Sequence, residues 1–235
     1  MCCKNSIAYL CIYLKRTMSY KAIIIGASGL IGGELLKHIS ISDAFHEILL
    51  INRRPLNISS NKIRQIVIDF DQLADISKEI AGDVIFSCLG STRKKTPDPI
   101  QYRKIEFDYT VNIAQYGLSN HVKQFHYVSS LGADSSSSSS YLKLKGEVEN
   151  RLKELAINSL HIYQPSFLTG KRQENRTVEK LMLPLTRLIN PLLVGKLSKY
   201  QSIPAETVAK AMLNQSLKSS EGVFTYPSDI IKQLA

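Results

Sequence analysis

The sequence predicts an α/β fold built on a doubly wound parallel sheet, with a small C-terminal substrate lobe. Short apolar runs alternate with helical patterns along the chain, which is typical of parallel strands covered by helices on both faces. The first run, residues 22–25, leads directly into glycines at Gly26, Gly29 and Gly32. With 44% hydrophobic and 21% charged residues, the 235-residue chain has the composition of a globular protein that needs no disulfides to hold its core.

The segment at residues 21–33 predicts a strand, a glycine turn and the start of a helix. Gly26 allows a tight turn, Gly29 lets backbone N–H groups approach a pyrophosphate, and Gly32 lets the helix pack closely on its strand. The helix N-terminus adds unpaired donors and the positive end of a dipole. This context favours a dinucleotide site over a plain strand-turn-helix. The predicted cofactor-binding residues of the turn are Gly26, Ser28, Gly29, Leu30, Ile31 and Gly32.

The second apolar run, residues 48–51, ends close to two arginines, Arg53 and Arg54. An NAD-binding domain usually places an acid here, about 20 residues past the glycines, to bind the adenosine ribose. A carboxylate would repel a 2′-phosphate, whereas a guanidinium binds it through paired hydrogen bonds. The position therefore favours NADP over NAD, with a merely basic loop as the alternative.

The remaining elements continue the alternation. Further strands are predicted at residues 63–70, 84–88, 125–129, 160–163 and 222–226. Helices are predicted at residues 30–39, 71–81, 100–118, 141–155, 178–189 and 205–217. Residues 94–99 are expected to form a loop because of Pro97 and Pro99, and the six serines at residues 135–140 are expected to form a mobile loop over the crevice.

Candidate cofactor residues lie at the ends of the predicted third and fourth strands. Leu89, Gly90 and Ser91 follow the fourth strand, at the edge that faces the cofactor crevice in a doubly wound sheet, and we expect them to contact the cofactor. Asp69 lies near the end of the third strand and either contacts the adenine or caps the next helix.

A tyrosine and a lysine four residues apart, Tyr141 and Lys145, lie one helical turn apart at the start of a predicted helix. A phenol has a pKa of about 10, and a nearby ammonium lowers that pKa, so Lys145 would tune Tyr141 for general acid/base catalysis and also hold the nicotinamide ribose. Ser130, or alternatively Ser129, would hydrogen-bond the substrate oxygen. The alternative is an amphipathic helix in which the two residues align by chance.

Several motifs resemble those of the atypical short-chain dehydrogenase/reductases, in the branch of the Tat-interacting-protein-like oxidoreductases and their bacterial relatives. The motifs are GASGLIG at 26–32, CLGSTRKK at 88–95, SSLGAD at 129–134, YLKLKGEVE at 141–149 and QPSFLTGKR at 164–172. The resemblance covers residues 18–235 and implies a Rossmann fold that binds NADPH. It also implies that Ser130, Tyr141 and Lys145 occupy the positions of the active-site trio, but it implies no particular substrate. The serine run departs from the family pattern.

Three alternative functions are compatible with these residues. The first is an NADP(H)-dependent oxidoreductase that reduces a small carbonyl compound or oxidises the corresponding alcohol, with Tyr141 as the general acid/base. The second is an NADPH-sensing module that binds a protein partner without catalysis. The third is a sugar-nucleotide epimerase or dehydratase, which normally holds NAD tightly, so Arg53 and Arg54 speak against it.

The net charge and the cysteine usage limit the classes of partner and ligand that we expect. The formal net charge of +10 is spread over short clusters without a long basic run, so a small-molecule substrate is expected and a nucleic-acid partner is not. No Cys-x-x-Cys spacing predicts zinc or a disulfide framework, and the five histidines are expected to be scattered surface or strand-end residues without a metal. Cys88 is expected to be a buried strand residue. A reduced, cytoplasmic protein is predicted.

The domain prediction separates residues 1–17, interpreted as an unmatched extension from an over-extended start, from a dinucleotide-binding domain at 18–235. The apolar stretch at 7–14 is too short to span a bilayer, so no stable membrane insertion is expected. The alternative is lipidation of Cys2 and Cys3 at a membrane surface. Residues 166–235 are expected to build the substrate lobe and to offer the surface for a homodimer or a protein partner.

Overall fold

A seven-stranded sheet, in which every neighbouring pair of strands is parallel, forms the centre of the molecule. The computed structural model describes residues 19–170, 193 and 195–235. The strands of the sheet are β1 (Tyr20–Ile25), β2 (Phe45–Asn52), β3 (Ile63–Val67), β4 (Val84–Ser87), β5 (Gln124–Val128), β6 (Ser159–Gln164) and β9 (Gly222–Pro227). Their spatial order is β3-β2-β1-β4-β5-β6-β9, and β7 (Leu168–Thr169) and β8 (Ile203–Pro204) form a separate parallel pair.

Helices connect the strands and cover both faces of the sheet. They are α1 (Leu30–Ser40), α2 (Pro99–Arg103), α3 (Tyr109–Ser119), α4 (Ser140–Glu154), α5 (Ala205–Ser216) and α6 (Ser228–Leu234). A π-helical turn, Lys104–Asp108, joins α2 to α3, and 3₁₀ segments occupy Phe70–Glu79 and Gly195–Tyr200. Among residues 19–170, 193 and 195–235, no helix combines the length and apolar character needed to cross a membrane.

The continuous apolar run of β1 reflects burial on both faces. Ala22 and Ile24 point into one hydrophobic cluster, which packs against α1, α5 and α6, whereas Ile23 and Ile25 point into a second cluster against α3 and α4. Because side chains alternate across a strand, both parities must be apolar when helices cover both faces. The α/β doubly wound fold predicted from the sequence is confirmed.

The strand order reverses beside β1, because the chain leaves β3 at one edge of the sheet and returns to place β4 on the other side of β1. In open α/β sheets, ligands bind at the carboxyl ends of the strands where the order reverses. Since all seven strands are parallel, the residues after β1, β2, β3, β4 and β5 emerge at one edge. The fold therefore gathers the predicted cofactor and catalytic residues at that edge.

Two local predictions were wrong. Pro99 begins α2 and does not end a loop, since proline fits the first turn of a helix and Asp98 caps it by accepting hydrogen bonds from Ile100 and Gln101. The predicted third strand ends at Val67, three residues earlier than expected. The helix predicted at 71–81 is present, as the 3₁₀ segment Phe70–Glu79.

Two histidines expected to be surface or strand-end residues are fully buried within neighbouring strands. His126 of β5 and His161 of β6 are 0% exposed, and their rings stack with centroids 4.4 Å apart. Their Nδ1 atoms lie 3.0 Å from the hydroxyl oxygens of Tyr163 and Tyr226 respectively. Strands buried on both faces leave no exposed side for these imidazoles, so neighbouring hydroxyls replace water as hydrogen-bond partners.

The serine-rich segment packs against α4. An ideal Cβ on Gly146 would lie 2.3 Å from the backbone of Asp134 and Ser135, so only glycine allows this approach. The Asp134 carboxylate accepts hydrogen bonds from the backbone and hydroxyl of Ser136 at 2.7 Å. The last serine, Ser140, is already the first residue of α4.

The C-terminal part of the chain completes the sheet. β9 pairs with β6, and α5 packs against α1 and α6. The predicted helix at 178–189 lies outside the described residues.

Candidate active site

Two glycines at the turn after β1, Gly26 and Gly32, have no room for a side chain. Gly26 has a φ of +84°, and a Cβ on it would lie 2.6 Å from the carbonyl oxygen of Cys88, at the end of the neighbouring β4. A Cβ on Gly32 would lie 2.3 Å from the carbonyl oxygen of Gly26. Gly29 precedes the first residue of α1, and the Gly29 N–H donates to the Gly26 carbonyl at 2.9 Å. The turn thus leaves the N-terminus of α1 facing the crevice with its first N–H groups available to phosphate oxygens.

The other residues of the glycine turn and the start of α1 differ in their exposure to solvent. Ser28 and Gly29 are exposed, Leu30 is half-buried and Ile31 is buried in the cluster beneath α1. Exposed backbone above a buried apolar anchor is the arrangement that a dinucleotide-binding turn requires.

The end of β2 carries the polar groups expected for the adenosine half of a cofactor. Asn52, its last residue, is 5% exposed, and its Nδ2 has no hydrogen-bond partner among the described residues. A buried amide nitrogen left unpaired is costly, and a ligand oxygen would satisfy it. Arg53 and Arg54 follow directly and are exposed. The residues present therefore fit a bound dinucleotide.

The polar residues after β3 and β4 are held by protein contacts. Asp69 is the N-cap of the 3₁₀ segment and accepts a hydrogen bond from Asp71 N–H at 3.1 Å, so the capping alternative is observed. Ser91, which follows Leu89 and Gly90, donates its backbone N–H to Glu106 Oε1 at 2.6 Å. The Ser91 hydroxyl lies 2.7 Å from the Thr96 hydroxyl, which closes the loop after β4.

The two serines after β5 differ in what their hydroxyls contact. The Ser129 hydroxyl donates to the buried Glu149 carboxylate at 2.5 Å, and Ser129 is 4% exposed. Ser130 is half-buried, and its hydroxyl has no hydrogen-bond partner in the described part of the chain. Of the two hydroxyls, that of Ser130 is the one left available to a ligand.

Lys145 lies inside the protein and forms a buried ion pair that the sequence reasoning missed. It is 4% exposed, and its Nζ lies 2.9 Å from Glu106 Oε2 and donates to the Val128 carbonyl at 3.1 Å. Burial alone would lower the pKa of Lys145, but the Glu106 carboxylate and the phenols of Tyr127 and Tyr141 together outweigh burial and hold the pKa well above its ordinary value. Lys145 is therefore an ammonium ion at neutral pH.

Glu106 belongs to the π-helical turn between α2 and α3 and is 2% exposed. Its two carboxylate oxygens bind the loop after β4, through Ser91, and the side chain of Lys145 on α4. One signal in the sequence could have revealed it. Glu106 is four residues after Tyr102 and three before Tyr109, so it falls on the apolar stripe of its helix, where an unpaired acid is not expected.

Tyr141 is in the first turn of α4, one turn before Lys145, and is 39% exposed. Burial raises the pKa of the Tyr102 and Tyr127 phenols, and the nearby Tyr141 phenol adds to that rise. The ring of Tyr127 also receives the Lys145 ammonium at 5.0 Å from its centroid. The arrangement presents one accessible phenol backed by a buried cation.

Cys88 is not equipped for nucleophilic catalysis. Burial raises the pKa of its thiol to about 12, so the thiol stays protonated at neutral pH. Among the described residues, no group of three or more His, Cys, Asp or Glu side chains is arranged to hold a metal ion.

Comparisons with known proteins agree with this geometry. The profile of the family described as NAD(P)H-binding matches residues 26–217. Protein HTATIP2 of Rattus norvegicus is 36% identical over 203 residues, which cover 85% of this chain and 82% of that protein. A protein named FMP52, mitochondrial, of Debaryomyces hansenii is 32% identical over 67% of this chain and 70% of its own length.

A solved structure of an epimerase shows the same fold. The UDP-N-acetylglucosamine 4-epimerase from Methanobrevibacter ruminantium M1 superposes with a TM-score of 0.68 at 17% identity, covering 89% of this chain and 76% of the epimerase. The profile match spans the glycine turn, the crevice edge and α5, and the rat relative matches most of the chain. The chain therefore belongs to the NAD(P)H-binding family of Rossmann proteins, as a relative of the Tat-interacting-protein-like branch that its motifs resemble.

Proposed function

We propose that the protein is an NADP(H)-dependent oxidoreductase that transfers hydride to or from a small carbonyl or alcohol substrate. The observation that carries this proposal is the accessible Tyr141 phenol one helical turn from Lys145, whose charge is maintained by buried Glu106. A phenol backed by a permanent cation suits proton transfer to a carbonyl oxygen. A binding module without catalysis would not require the costly burial of an ion pair beside a tyrosine.

Each residue has a distinct role in the proposed reaction. The bound cofactor supplies or accepts the hydride at the substrate carbon. In the reducing direction, the Tyr141 hydroxyl gives its proton to the substrate oxygen, so the carbonyl becomes an alcohol. The Lys145 ammonium stabilises the negative charge that develops on the Tyr141 oxygen. The Ser130 hydroxyl donates a hydrogen bond to the substrate oxygen and fixes its position.

The proposed cofactor is NADP rather than NAD. Arg53 and Arg54 are exposed at the end of β2 and belong to none of the ion pairs found among the described residues. A 2′-phosphate there would gain charge-assisted hydrogen bonds from one or both guanidinium groups. Leu89, Gly90 and Ser91 would approach the nicotinamide half from the loop after β4, and Lys145 would contact its ribose. We assign completion of the substrate pocket to residues 166–235.

The catalytic assignment is tested by turnover with a panel of aldehydes, ketones and quinones in the presence of NADPH. We expect Tyr141→Phe to lower kcat at least a hundredfold, since general acid/base catalysis contributes about 10²–10⁴-fold. NADPH affinity should stay unchanged. Tyr116→Phe, in a tyrosine on α3, serves as the matched control and should retain full activity. Binding of NADPH without turnover of any compound would support an NADPH-sensing module and contradict the proposal.

The location of the protein in the cell is a further point of the proposal. Cysteine usage favours the cytoplasm, whereas the names of several fungal relatives include the word mitochondrial. Fractionation of cells, with the protein detected by an antibody, distinguishes the two compartments.

A further inference from the structure

An arginine on the loop after β4 stacks on an aromatic ring within the candidate site. The Arg93 guanidinium carbon lies 4.6 Å from the centroid of the Tyr102 ring. Tyr102 is 2% exposed and belongs to α2, directly before the turn that carries Glu106. The arginine itself remains exposed to solvent. One face of the guanidinium is therefore covered by the Tyr102 ring, and among the described residues no hydrogen bond or ion pair involves its edge.

Tyr102 connects this arginine to the proposed catalytic residues. Burial raises the pKa of the Tyr102 phenol to about 12, and the charges of Glu106 and Tyr141 raise it too, while those of Lys145 and Arg93 act in the opposite direction. Contacts along the chain place the same loop at the site. Glu106 binds Ser91 of the Arg93 loop through one carboxylate oxygen and pairs with Lys145, one helical turn after Tyr141, through the other. The loop that carries Arg93 thus borders the candidate site.

The loop that carries Arg93 is fixed in place. Hydrogen bonds close it from Ser91 to Thr96, and the Thr96 N–H donates to the Thr92 carbonyl at 2.8 Å. Glu106 anchors the loop through the Ser91 N–H. A guanidinium held by such a loop and by an aromatic ring loses little further freedom when it binds a ligand.

Three acidic residues, at the start of α2, on the π-helical turn and on α4, already have other partners. Asp98 accepts hydrogen bonds at the N-terminus of α2, and Glu106 pairs with Lys145. Glu147 of α4 pairs with Arg103, which stacks over Phe107 in a similar way. Among the ion pairs formed by the described residues, none includes Arg93. Within the part of the chain that the structure describes, the Arg93 charge is therefore left without an anionic partner.

We infer that Arg93 recognises an anionic group, a carboxylate or a phosphate, on the substrate of the proposed reaction. Arginine binds both groups through two parallel hydrogen bonds. Lys94, the next residue, adds a second exposed positive charge to the same loop. The substrate class is thus a small aldehyde or ketone that carries a negative charge away from its reacting carbon. This inference rests on the proposed function.

Matched pairs of aldehydes test the inference. The first pair is 4-formylbenzoate and its methyl ester, and the second is glyceraldehyde 3-phosphate and glyceraldehyde, each reduced with NADPH. We expect the charged member of at least one pair to have the higher kcat/KM. Arg93→Gln should reduce that preference about 10- to 100-fold, since a hydrogen bond to a charged group is worth that much. A preference for the acid identifies a carboxylate, and a preference for the phosphate identifies a phosphoryl group.

Two controls separate the substrate from the cofactor. Arg103→Gln removes a stacked arginine that is already paired with Glu147, and it should leave the preference unchanged. The NADPH dissociation constant should be the same for wild type and Arg93→Gln. Weaker NADPH binding in Arg93→Gln would assign the arginine to the cofactor and overturn the inference. Equal kcat/KM within both pairs would also overturn it.

Failure of the proposed function can be distinguished from failure of the inference about Arg93. If no aldehyde is reduced, calorimetry on the NADPH-loaded protein with 4-formylbenzoate and its ester still tests Arg93. Tighter binding of the acid, lost in Arg93→Gln, supports the anionic site without catalysis. Equal binding of acid and ester, or no binding of the acid, overturns it.

Discussion

Two adjacent glycines of α1 give a matched test of the cofactor turn. A Cβ on Gly32 would lie 2.3 Å from the Gly26 carbonyl oxygen, 2.9 Å from the Gly26 carbonyl carbon and 3.0 Å from Ala27 Cα. All three atoms belong to the backbone, so no side chain can move to make room. A Cβ on Gly33 would lie 3.4 Å from the Ala27 carbonyl oxygen, at the tight end of ordinary contact. The two substitutions add the same methyl group to the same helix in different surroundings.

We expect Gly32→Ala to lower the free energy of unfolding by about 1–3 kcal/mol, the usual cost of overpacking. The substitution should also weaken NADPH binding at least tenfold, because the strain is relieved only by displacing the turn to which we assign the pyrophosphate. Gly33→Ala should raise the free energy of unfolding by up to about 1 kcal/mol, since alanine favours a helix over glycine. Its NADPH affinity should match wild type.

Urea denaturation and NADPH fluorescence titration measure the two effects on the same preparations. A Gly32→Ala protein with wild-type stability and wild-type NADPH affinity would refute the close packing of α1 on the turn. A protein that loses stability but binds NADPH normally would show that the turn is structural only. Equal loss of binding in Gly33→Ala would show that the effect is not specific to the contact with Gly26.

Two further predictions concern the buried polar groups. Burial lowers the pKa of His161 to about 4 and that of His126 well below its ordinary range, so the unfolded chain binds protons that the folded protein does not. The free energy of unfolding should therefore fall as the pH drops from about 6.5 towards 4, by up to about 1.4 kcal/mol per pH unit for each histidine. Denaturation at several pH values should show a smaller slope for His161→Phe, and an unchanged slope would contradict this account. Glu106→Gln should lower the free energy of unfolding by about 3–5 kcal/mol because it leaves the Lys145 ammonium buried without a counter-ion. In a double-mutant cycle, adding Lys145→Met should recover part of that loss, whereas strictly additive effects would show that the two groups do not interact.

The sequence predicted the parts of the site that depend on local spacing. The first glycine of the turn, Gly26, directly follows β1, and Tyr141 and Lys145 are one helical turn apart on α4. Each arrangement is therefore determined by residues that are close together in the sequence. The seven parallel strands then brought these segments to one edge, as the alternating pattern implied.

Contacts between distant segments could not be predicted in the same way. Glu106 meets Lys145 across 39 positions of sequence only because the π-helical turn packs beside α4. His126 and His161 meet because β5 and β6 are neighbours in register. Pro99 could not be interpreted from its residue type alone, because proline is unfavourable inside a helix but favourable in the first turn. Here Asp98 caps α2, and Pro99 is the first residue of that helix.

The cofactor preference is the central claim that a single measurement tests most directly. NADPH and NADH dissociation constants should be determined for wild type, for the double variant Arg53→Ala with Arg54→Ala, and for Arg151→Ala, a control in an arginine that pairs with Glu154. We predict that wild type and Arg151→Ala bind NADPH at least tenfold more tightly than NADH, and that the double variant loses this preference while its NADH affinity is unchanged. Equal binding of NADPH and NADH by wild type would contradict the assignment of the arginines to a 2′-phosphate.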